Sequence, residues 1–280
     1  MKKSVALLLT LACAFSMVAC GAKTEEAPAA TEEAVVEEAA TEEATTEETA
    51  TEETATEETV EADVKSEGVM TYEEYAAAAL DTEVTVETYV QAKQSWWEDK
   101  ATVYTQDKDG AYFLYEMACS EEDYAKLVPG TKIRVNGYKA EWAGEVEIIE
   151  ATFEILEGSY IAEAEDMTAM LASEELVNHQ NKFVAFKGMT VEASKDADGN
   201  DVAFLYNWDG SGEDGNDLYF NVSLDGQTYT FTVESYLCDN TTDVYAAVKN
   251  LQIGDVVDME GFLYWYEGVN PHITSLTVVE

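Results

Sequence analysis

Hydrophobic and glycine positions repeat at a fixed distance along the chain. Residues 127–156 carry a pattern that returns, always 124 positions later, in the last thirty residues. The matched pairs are Leu127 and Leu251, Gly130 and Gly254, Ile133 and Val257, Val135 and Met259, Gly137 and Gly261, Tyr138 and Phe262, Gly144 and Gly268, and Ile149 and Ile273. A constant offset is typical of a duplicated domain. The pattern therefore predicts two related domains in tandem, each ending in a strand-turn-strand unit.

Alternation of apolar and polar residues predicts the first strand of the first domain. Val84, Val86 and Val90 alternate with polar neighbours, as in a half-buried strand. A Thr-x-x-Glu capping box at residues 71–74 predicts a short helix before that strand. The predicted order is a helix from residue 71, strands at 84–93, 101–106 and 111–117, a helix at 120–127, and two strands after residue 130.

The second domain follows the same order with two additions. Apolar residues Met167, Met170, Leu171 and Val177 predict a linking helix over residues 160–180. An Asp- and Gly-rich insertion at residues 194–217 contains one further predicted strand at 202–208. The remaining predictions are strands at 183–193, 218–224 and 227–237, a helix at 240–250, and the repeated ending.

Three strands, a helix and two strands form the order of a five-stranded OB barrel. The run Leu-x-x-Gly-x-x-Ile-x-Val-x-Gly at residues 127–137 also resembles the passage from helix to strand four in that family, notably in tRNA-anti-like OB domains of bacterial surface proteins. The resemblance implies a mainly β fold of two tandem five-stranded OB-like barrels, at residues 68–157 and 158–280. It also implies ligand binding on strands two and three and on the loops joining strands 1-2 and 4-5.

The first twenty residues predict an export signal. Lys2 and Lys3 precede an apolar run over residues 5–18, and this run is too short for a membrane span. The ending Met-Val-Ala-Cys at residues 17–20 resembles the lipobox of bacterial lipoproteins. That resemblance implies a lipid such as palmitate on Cys20 and an anchor on the outer face of the cell membrane. An ordinary signal peptide cleaved elsewhere is the alternative.

Residues 21–67 consist mainly of Thr, Glu, Ala and Val, with a Glu-Glu pair every five residues. A period of five matches neither a helix face nor a strand face, so no apolar stripe can be buried. The segment is predicted to be a disordered, acidic stalk. An acidic tail that binds cations is the alternative interpretation.

Charge narrows the classes of partner. The chain has 15 Lys and Arg against 58 Asp and Glu, a formal net charge of −43. We expect it to repel a nucleic-acid backbone and to attract cations and basic partners, so nucleic acid is predicted not to be a partner. Cys119 and Cys238 follow the third strand of their domains and are interpreted as buried thiols in preference to a disulfide.

Tryptophans fall at the loops that the resemblance assigns to ligands. Trp96 and Trp97 lie between the first two strands, and Trp208 ends the predicted strand of the insertion. Trp142 and the pair Trp265-Tyr266 lie in the two strand 4-5 turns. Flat aromatic rings suit stacking on sugars or peptide side chains, so these six residues are the predicted ligand-binding set. Packing of the rings at the barrel ends is the alternative.

A calcium loop and a catalytic site are the remaining candidates. Asp196, Asp198, Asn200 and Asp201 superficially resemble a calcium loop, but the EF-hand spacing is absent and an Asp-Gly turn is favoured. Neither His179 nor His272 lies in a catalytic or metal motif, so no enzyme activity and no cofactor beyond calcium are predicted. The predicted function is a membrane-anchored, non-catalytic binding module for a glycan or peptide. A structural or adaptor subunit of a cell-envelope complex is the alternative.

Overall fold

The computed structural model describes residues 65–279. The predicted signal with Cys20, and residues 21–64 of the predicted stalk, lie outside the described residues. Within the described part, none of the helices combines the length and apolar character needed to cross a membrane.

The first barrel starts with the predicted capping box. Thr71 accepts a hydrogen bond from the backbone N–H of Glu74, and the Glu74 carboxylate accepts one from the N–H of Thr71. The helix α1 (Tyr72–Ala77) buries Tyr75, whose ring meets the edge of Tyr112 with centroids 4.9 Å apart. This contact fixes the helix against the first barrel.

Five strands close the first barrel. They are β1 (Glu83–Lys93), β2 (Lys100–Gln106), β3 (Ala111–Ala118), β4 (Thr131–Trp142) and β5 (Glu145–Ser159), joined in the order β1-β2-β3-β5-β4. A single helical turn, α2 (Glu121–Tyr124), lies between β3 and β4 and is capped by Ser120. The pairing of β3 with β5 is parallel, whereas neighbouring strands elsewhere in the barrel are antiparallel. Inward-facing Val86, Val103, Leu114, Ile133 and Val135 fill the core.

The second half of the chain builds another closed barrel. Its elements are β6 (Glu165–Asp166), β7 (Phe183–Glu192), β8 (Ser194–Lys195), β9 (Asp201–Val202), β10 (Leu205–Tyr206), β11 (Leu218–Leu224), β12 (Gln227–Val233), α3 (Asp243–Lys249), β13 (Val256–Phe262) and β14 (His272–Val279). Strand β7 pairs with both β11 and β13, which closes the ring β7-β11-β12-β14-β13. As in the first barrel, the third and fifth strands pair in parallel. The mainly β fold with two closed five-stranded barrels is confirmed.

The linking helix predicted over residues 160–180 is wrong. That segment contains the short strand β6 and two 3-10 turns, Thr168–Met170 and Glu174–His179. Asp166 accepts a hydrogen bond from the N–H of Thr168, and Ser173 accepts one from the N–H of Glu175. Such local side-chain hydrogen bonds compete with those of a continuous α-helix, so the segment forms two short 3-10 turns instead.

The continuous strand predicted at residues 202–208 is also wrong. Two pairs of extended residues replace it: β9 pairs with β8 as a separate two-stranded sheet, and β10 pairs with β11. Ala203 and Phe204 belong to no strand, and Asn207 has φ 58°, in the left-handed region. Extended structure therefore ends at Tyr206, and Trp208 projects beyond it with 76% of its surface exposed.

A third, smaller core joins the barrels. Tyr104, Phe113 and Phe262 are buried together where the two barrels meet. The rings of Tyr104 and Phe262 stack with centroids 4.4 Å apart and planes 12° from parallel. The Tyr104 hydroxyl lies 2.9 Å from Nδ1 of His272, another buried group. Away from this junction, Cys119 and Cys238 are buried free thiols.

Candidate functional site between the barrels

A cleft of about 1490 Å³ lies between the two barrels. Its walls are the outer faces of the second and third strands of each barrel. Thr102, Phe113 and Tyr115 come from β2 and β3, and Tyr219, Asn221, Thr230 and Thr232 come from β11 and β12. Side chains alternate along a strand, so the residues between these fill the barrel cores. The strands that the OB resemblance assigns to ligand binding therefore line one shared cleft.

The two strand 4-5 turns meet at the rim of the cleft. The rings of Trp142 and Tyr266, which are counterparts at the 124-residue offset, lie 5.2 Å apart. The N–H of Glu267 donates to the carbonyl oxygen of Ala143 at 2.7 Å. The N–H of Trp265 donates to Oε2 of Glu145 at 2.9 Å. Equivalent turns of the duplicated domains thus form a continuous wall.

Four of the six predicted ligand-binding aromatics line the cleft. They are Trp97, Trp142, Trp208 and Tyr266, with exposed fractions of 66%, 55%, 76% and 49%. Trp96 and Trp265 do not belong to the lining. The indole N–H of Trp96 donates to the carbonyl of Cys119 at 2.9 Å, and Trp265 packs against the second core. Both interpretations of the tryptophans therefore describe part of the set, and ligand contact stays a prediction.

Other residues of the cleft were missed by the sequence reasoning. The missed aromatics are Phe113, Tyr115, Tyr219, Tyr236 and Tyr264. For Tyr115 and Tyr219 a signal existed, because each alternates with inward-facing residues of a predicted strand. The missed carboxylates Glu147 and Glu234 gave no signal among 58 acidic residues.

Burial changes the acidity of three carboxyl groups at the cleft and the junction. Burial chiefly, and then the charge of Glu116, raise the pKa of Glu147 to about 7. Burial also raises the pKa of Glu234 to about 7, although the N–H groups of Tyr236 and Leu237 donate to its carboxylate. At the junction of the two barrels, burial raises the pKa of Glu145 to about 8. These groups hold their protons more strongly than exposed carboxylates do.

His272 lies at the floor of the cleft and is neutral. Burial lowers its pKa to about 3, and the ring of Tyr264 stacks on it with centroids 4.2 Å apart. Its Nδ1 is held by the Tyr104 hydroxyl. The residue therefore links the barrels as a structural group.

The segment considered for calcium forms the turn between β8 and β9. Oδ1 of Asp196 accepts hydrogen bonds from the N–H groups of Asp198 and Asn200, at 3.0 Å and 2.8 Å. Asp201 pairs with Lys195 at 2.7 Å. Across residues 65–279, no group of three or more His, Cys, Asp or Glu side chains is placed to hold a metal ion. Calcium binding here stays a prediction, while the local geometry is the favoured turn.

Comparisons with known proteins find similarity at the level of solved structures. No protein-family model and no curated protein matches the sequence. The tetrameric p202 HIN2 structure is 11% identical, with a TM-score of 0.30, over 71% of this chain and 95% of that chain. A murine DNA binding protein bound with double-stranded DNA is 8% identical, with a TM-score of 0.32, over 70% and 95%. The Ifi202 HINa domain in complex with 20 bp double-stranded DNA is 10% identical, with a TM-score of 0.32, over 70% and 92%.

The prediction that charge excludes nucleic acid as a partner is contradicted by this similarity. Two of the similar structures contain double-stranded DNA. A whole-chain charge of −43 averages over every surface, including residues 21–67, and does not describe one local surface. Identities of 8–11% and TM-scores near 0.3 likewise assign no ligand to this chain. Double-stranded DNA is therefore a ligand class to be tested.

Proposed function

We propose that this protein is an extracytoplasmic, lipid-anchored binding module without catalytic activity, which takes a peptide or a glycan into the cleft between its barrels. One observation carries the proposal. The second and third strands of both barrels face the same cleft, and Trp97, Trp142, Trp208 and Tyr266 are exposed around it. Such a surface offers flat apolar contacts beside hydrogen-bonding groups, which is the usual chemistry of a ligand site.

The dimensions of the cleft favour an extended ligand. Its volume of about 1490 Å³ exceeds the roughly 300–1,000 Å³ common for sites that hold a single small molecule. The exposed aromatics lie in four different loops or turns of the two barrels, so a ligand of several residues can contact more than one ring. A peptide or an oligosaccharide meets that requirement.

The anchor is proposed from the sequence. A basic start, an apolar run and the Met-Val-Ala-Cys ending precede Cys20 in the order of a lipoprotein signal. We expect a palmitate analogue fed to expressing bacterial cells to label the wild-type chain, and Cys20→Ser to abolish that label. An equally labelled Cys20→Ser chain would contradict the anchor without affecting the cleft.

The binding function is tested with the purified full-length protein. A thermal-shift panel contains capped pentapeptides, neutral hexasaccharides and 20-bp double-stranded DNA. A ligand that binds only the folded state raises the midpoint of unfolding. We expect one peptide or glycan class to raise it, and the triple variant Trp97→Ala, Trp142→Ala, Trp208→Ala to lose that response.

Tyr138→Ala is the matched control, because Tyr138 is 41% exposed on β4 and does not line the cleft. This variant is expected to respond like wild type. A ligand response that survives in the triple variant would place binding elsewhere. A response to DNA alone would overturn the proposed ligand classes.

A further inference from the structure

We propose that the cleft recognises a positively charged group through Glu147, so that its preferred ligand is a peptide carrying lysine or arginine side chains. This inference rests on the proposed function and specifies its ligand. It predicts that a cationic peptide is preferred to a neutral glycan in the same cleft.

Acidic groups outnumber basic groups in the cleft lining. The carboxylates are Glu116, Glu147, Asp217, Glu234 and Glu267, and the ammonium groups are Lys100 and Lys195. Both lysines are already paired. Nζ of Lys100 lies 2.5 Å from Glu116, and Nζ of Lys195 lies 2.7 Å from Asp201. The cleft therefore contains negative charge that its own cations do not neutralise.

Internal partners account for two other buried or half-buried carboxylates. Asp217 accepts hydrogen bonds from the N–H and O–H of Ser235, at 2.8 Å and 2.6 Å. Glu234 accepts hydrogen bonds from two backbone N–H groups, at 3.1 Å and 2.9 Å. These two groups are held by the protein itself and have less need of a ligand.

Glu147 differs from them because its carboxylate has no partner in the described part of the chain. Only 7% of the residue is exposed, and it lines the cleft from β5. Neither a hydrogen bond nor an ion pair satisfies its oxygens within residues 65–279. A buried carboxylate without a partner is costly, so a bound group that supplies opposite charge and N–H donors is favoured there.

The surroundings of Glu147 suit the stem of a basic side chain. Phe113 is its register partner on β3, and Tyr115 follows two residues along the same outer face. Tyr264 lies against Phe113, with ring centroids 5.5 Å apart. Burial, and then the charges of Glu145 and Glu147, raise the pKa of Tyr264. Aromatic faces attract cations and cover the methylene groups of lysine and arginine. A sugar hydroxyl can hydrogen-bond to Glu147 but cannot neutralise it.

The test measures affinity by calorimetry on the full-length protein. The probes are pentalysine with blocked ends, the same peptide with every ε-amino group acetylated, and a neutral hexasaccharide. We expect pentalysine to bind at least tenfold more tightly than its acetylated form. We expect Glu147→Gln to weaken pentalysine binding by about tenfold. At pH 8, above the pKa of about 7 for Glu147, the isosteric change keeps the shape and removes the charge.

Glu163→Gln is the matched control, because it removes the same charge from an exposed site outside the cleft. Its affinity for pentalysine should stay within about twofold of wild type. If Glu147→Gln and Glu163→Gln behave alike, the peptide senses overall charge or the acidic residues 21–67, and the inference is overturned.

The remaining outcomes separate this inference from the proposed function. A neutral hexasaccharide that binds better than pentalysine, and is lost in the Trp97, Trp142 and Trp208 triple variant, would leave the binding function intact and overturn the preference for cations. If no peptide or glycan stabilises the wild-type protein, both proposals fail.

Discussion

At the scale of single residues, Glu145 is an unusual component of the barrel junction. It is fully buried, and its Oε2 accepts the N–H of Trp265 from the other barrel. Neither its Oε1 nor the neighbouring Oδ1 of Asn181 has a hydrogen-bond partner as an acceptor. A protonated carboxyl at Glu145 supplies the missing donor, in agreement with a pKa that burial raises to about 8 against the opposing effects of Asn181 and the Trp265 N–H. We infer that the junction contains a neutral carboxyl group at pH 7.

Glu145→Gln is expected to reduce the loss of stability at alkaline pH. The folded pKa of about 8 exceeds the ordinary value of 4.5, so the contribution of Glu145 is present below pH 4.5 and is lost as the pH rises through 8. The slope reaches at most about 1.4 kcal/mol per pH unit for one proton. Glutamine retains an acceptor for Trp265, gains a donor for Asn181, and does not titrate.

Urea unfolding between pH 7 and 9 measures this effect. The range lies above the pH interval in which His272, with its lowered pKa of about 3 against an ordinary 6.5, makes stability rise with pH. It also lies largely above the pKa values of about 7 for Glu147 and Glu234. Glu163→Gln should keep the wild-type slope. An unchanged slope in Glu145→Gln would show that Glu145 is ionised at neutral pH.

At the scale of elements, the repeated strand 4-5 turns determine how the barrels meet. Gly144 has φ +94°, and a Cβ atom placed there would lie 2.8 Å from Cδ1 of Trp265. Its counterpart Gly268 has nothing within 4 Å of such an atom. The two turns therefore share sequence spacing but differ in environment, because only the first supports a tryptophan of the other barrel.

Gly144→Ala is expected to destabilise the protein more than Gly254→Ala does. Gly254 has φ +95° and open space at the Cβ position, so it matches the backbone strain of Gly144 without the contact. Overpacking of this kind costs roughly 1–3 kcal/mol. The difference between the two variants in chemical denaturation reports the contact with Trp265. Equal losses would mean that the turn moves away freely and that the two turns do not hold the barrels together.

Local patterns predicted most elements. Alternation, turn signals and the 124-residue repeat predicted β1 to β5 and the five barrel strands of the second domain. The capping box predicted α1, because a helix cap is decided by neighbours in sequence. The predicted linking helix is absent where Asp166 and Ser173 form local hydrogen bonds. The predicted strand at 202–208 is interrupted at residues 203–204 and ends before Asn207. The spacing of apolar residues does not show where local side-chain hydrogen bonds replace regular secondary structure.

The cleft was only partly predictable. Exposed tryptophans at loops marked its rim, but its floor depends on contacts between distant residues, such as Tyr104 with His272, which are 168 positions apart. No spacing rule indicates that pair. In the same way, the lack of a hydrogen-bond or ion-pair partner for Glu147 depends on how its neighbours in space are paired. Those neighbours are known only from the positions of the two barrels.

At the scale of the whole molecule, the two barrels have separate cores and one shared junction. Tyr104 is fully buried in that junction, stacks on Phe262, and reaches His272 with its hydroxyl. Each barrel therefore presents buried apolar surface to the other. If one barrel unfolds, that surface is exposed on its partner, so the described part of the chain should unfold as one cooperative unit.

Tyr104→Ala is expected to separate the unfolding of the barrels. The change removes a buried ring and leaves His272 without its partner, a loss of about 3–5 kcal/mol confined to the junction. Tyr104→Phe keeps the stack and removes only the hydrogen bond, so a loss of about 1–3 kcal/mol with a single transition is expected.

Calorimetric melting of wild type should show one transition and Tyr104→Ala two, because the separate cores of the barrels remain intact. Tyr138→Ala, an exposed tyrosine of the same barrel, is the control and should melt like wild type. Two transitions already present in wild type would show that the junction couples the barrels too weakly to hold one fixed cleft, and the shared binding surface would then lose its structural basis.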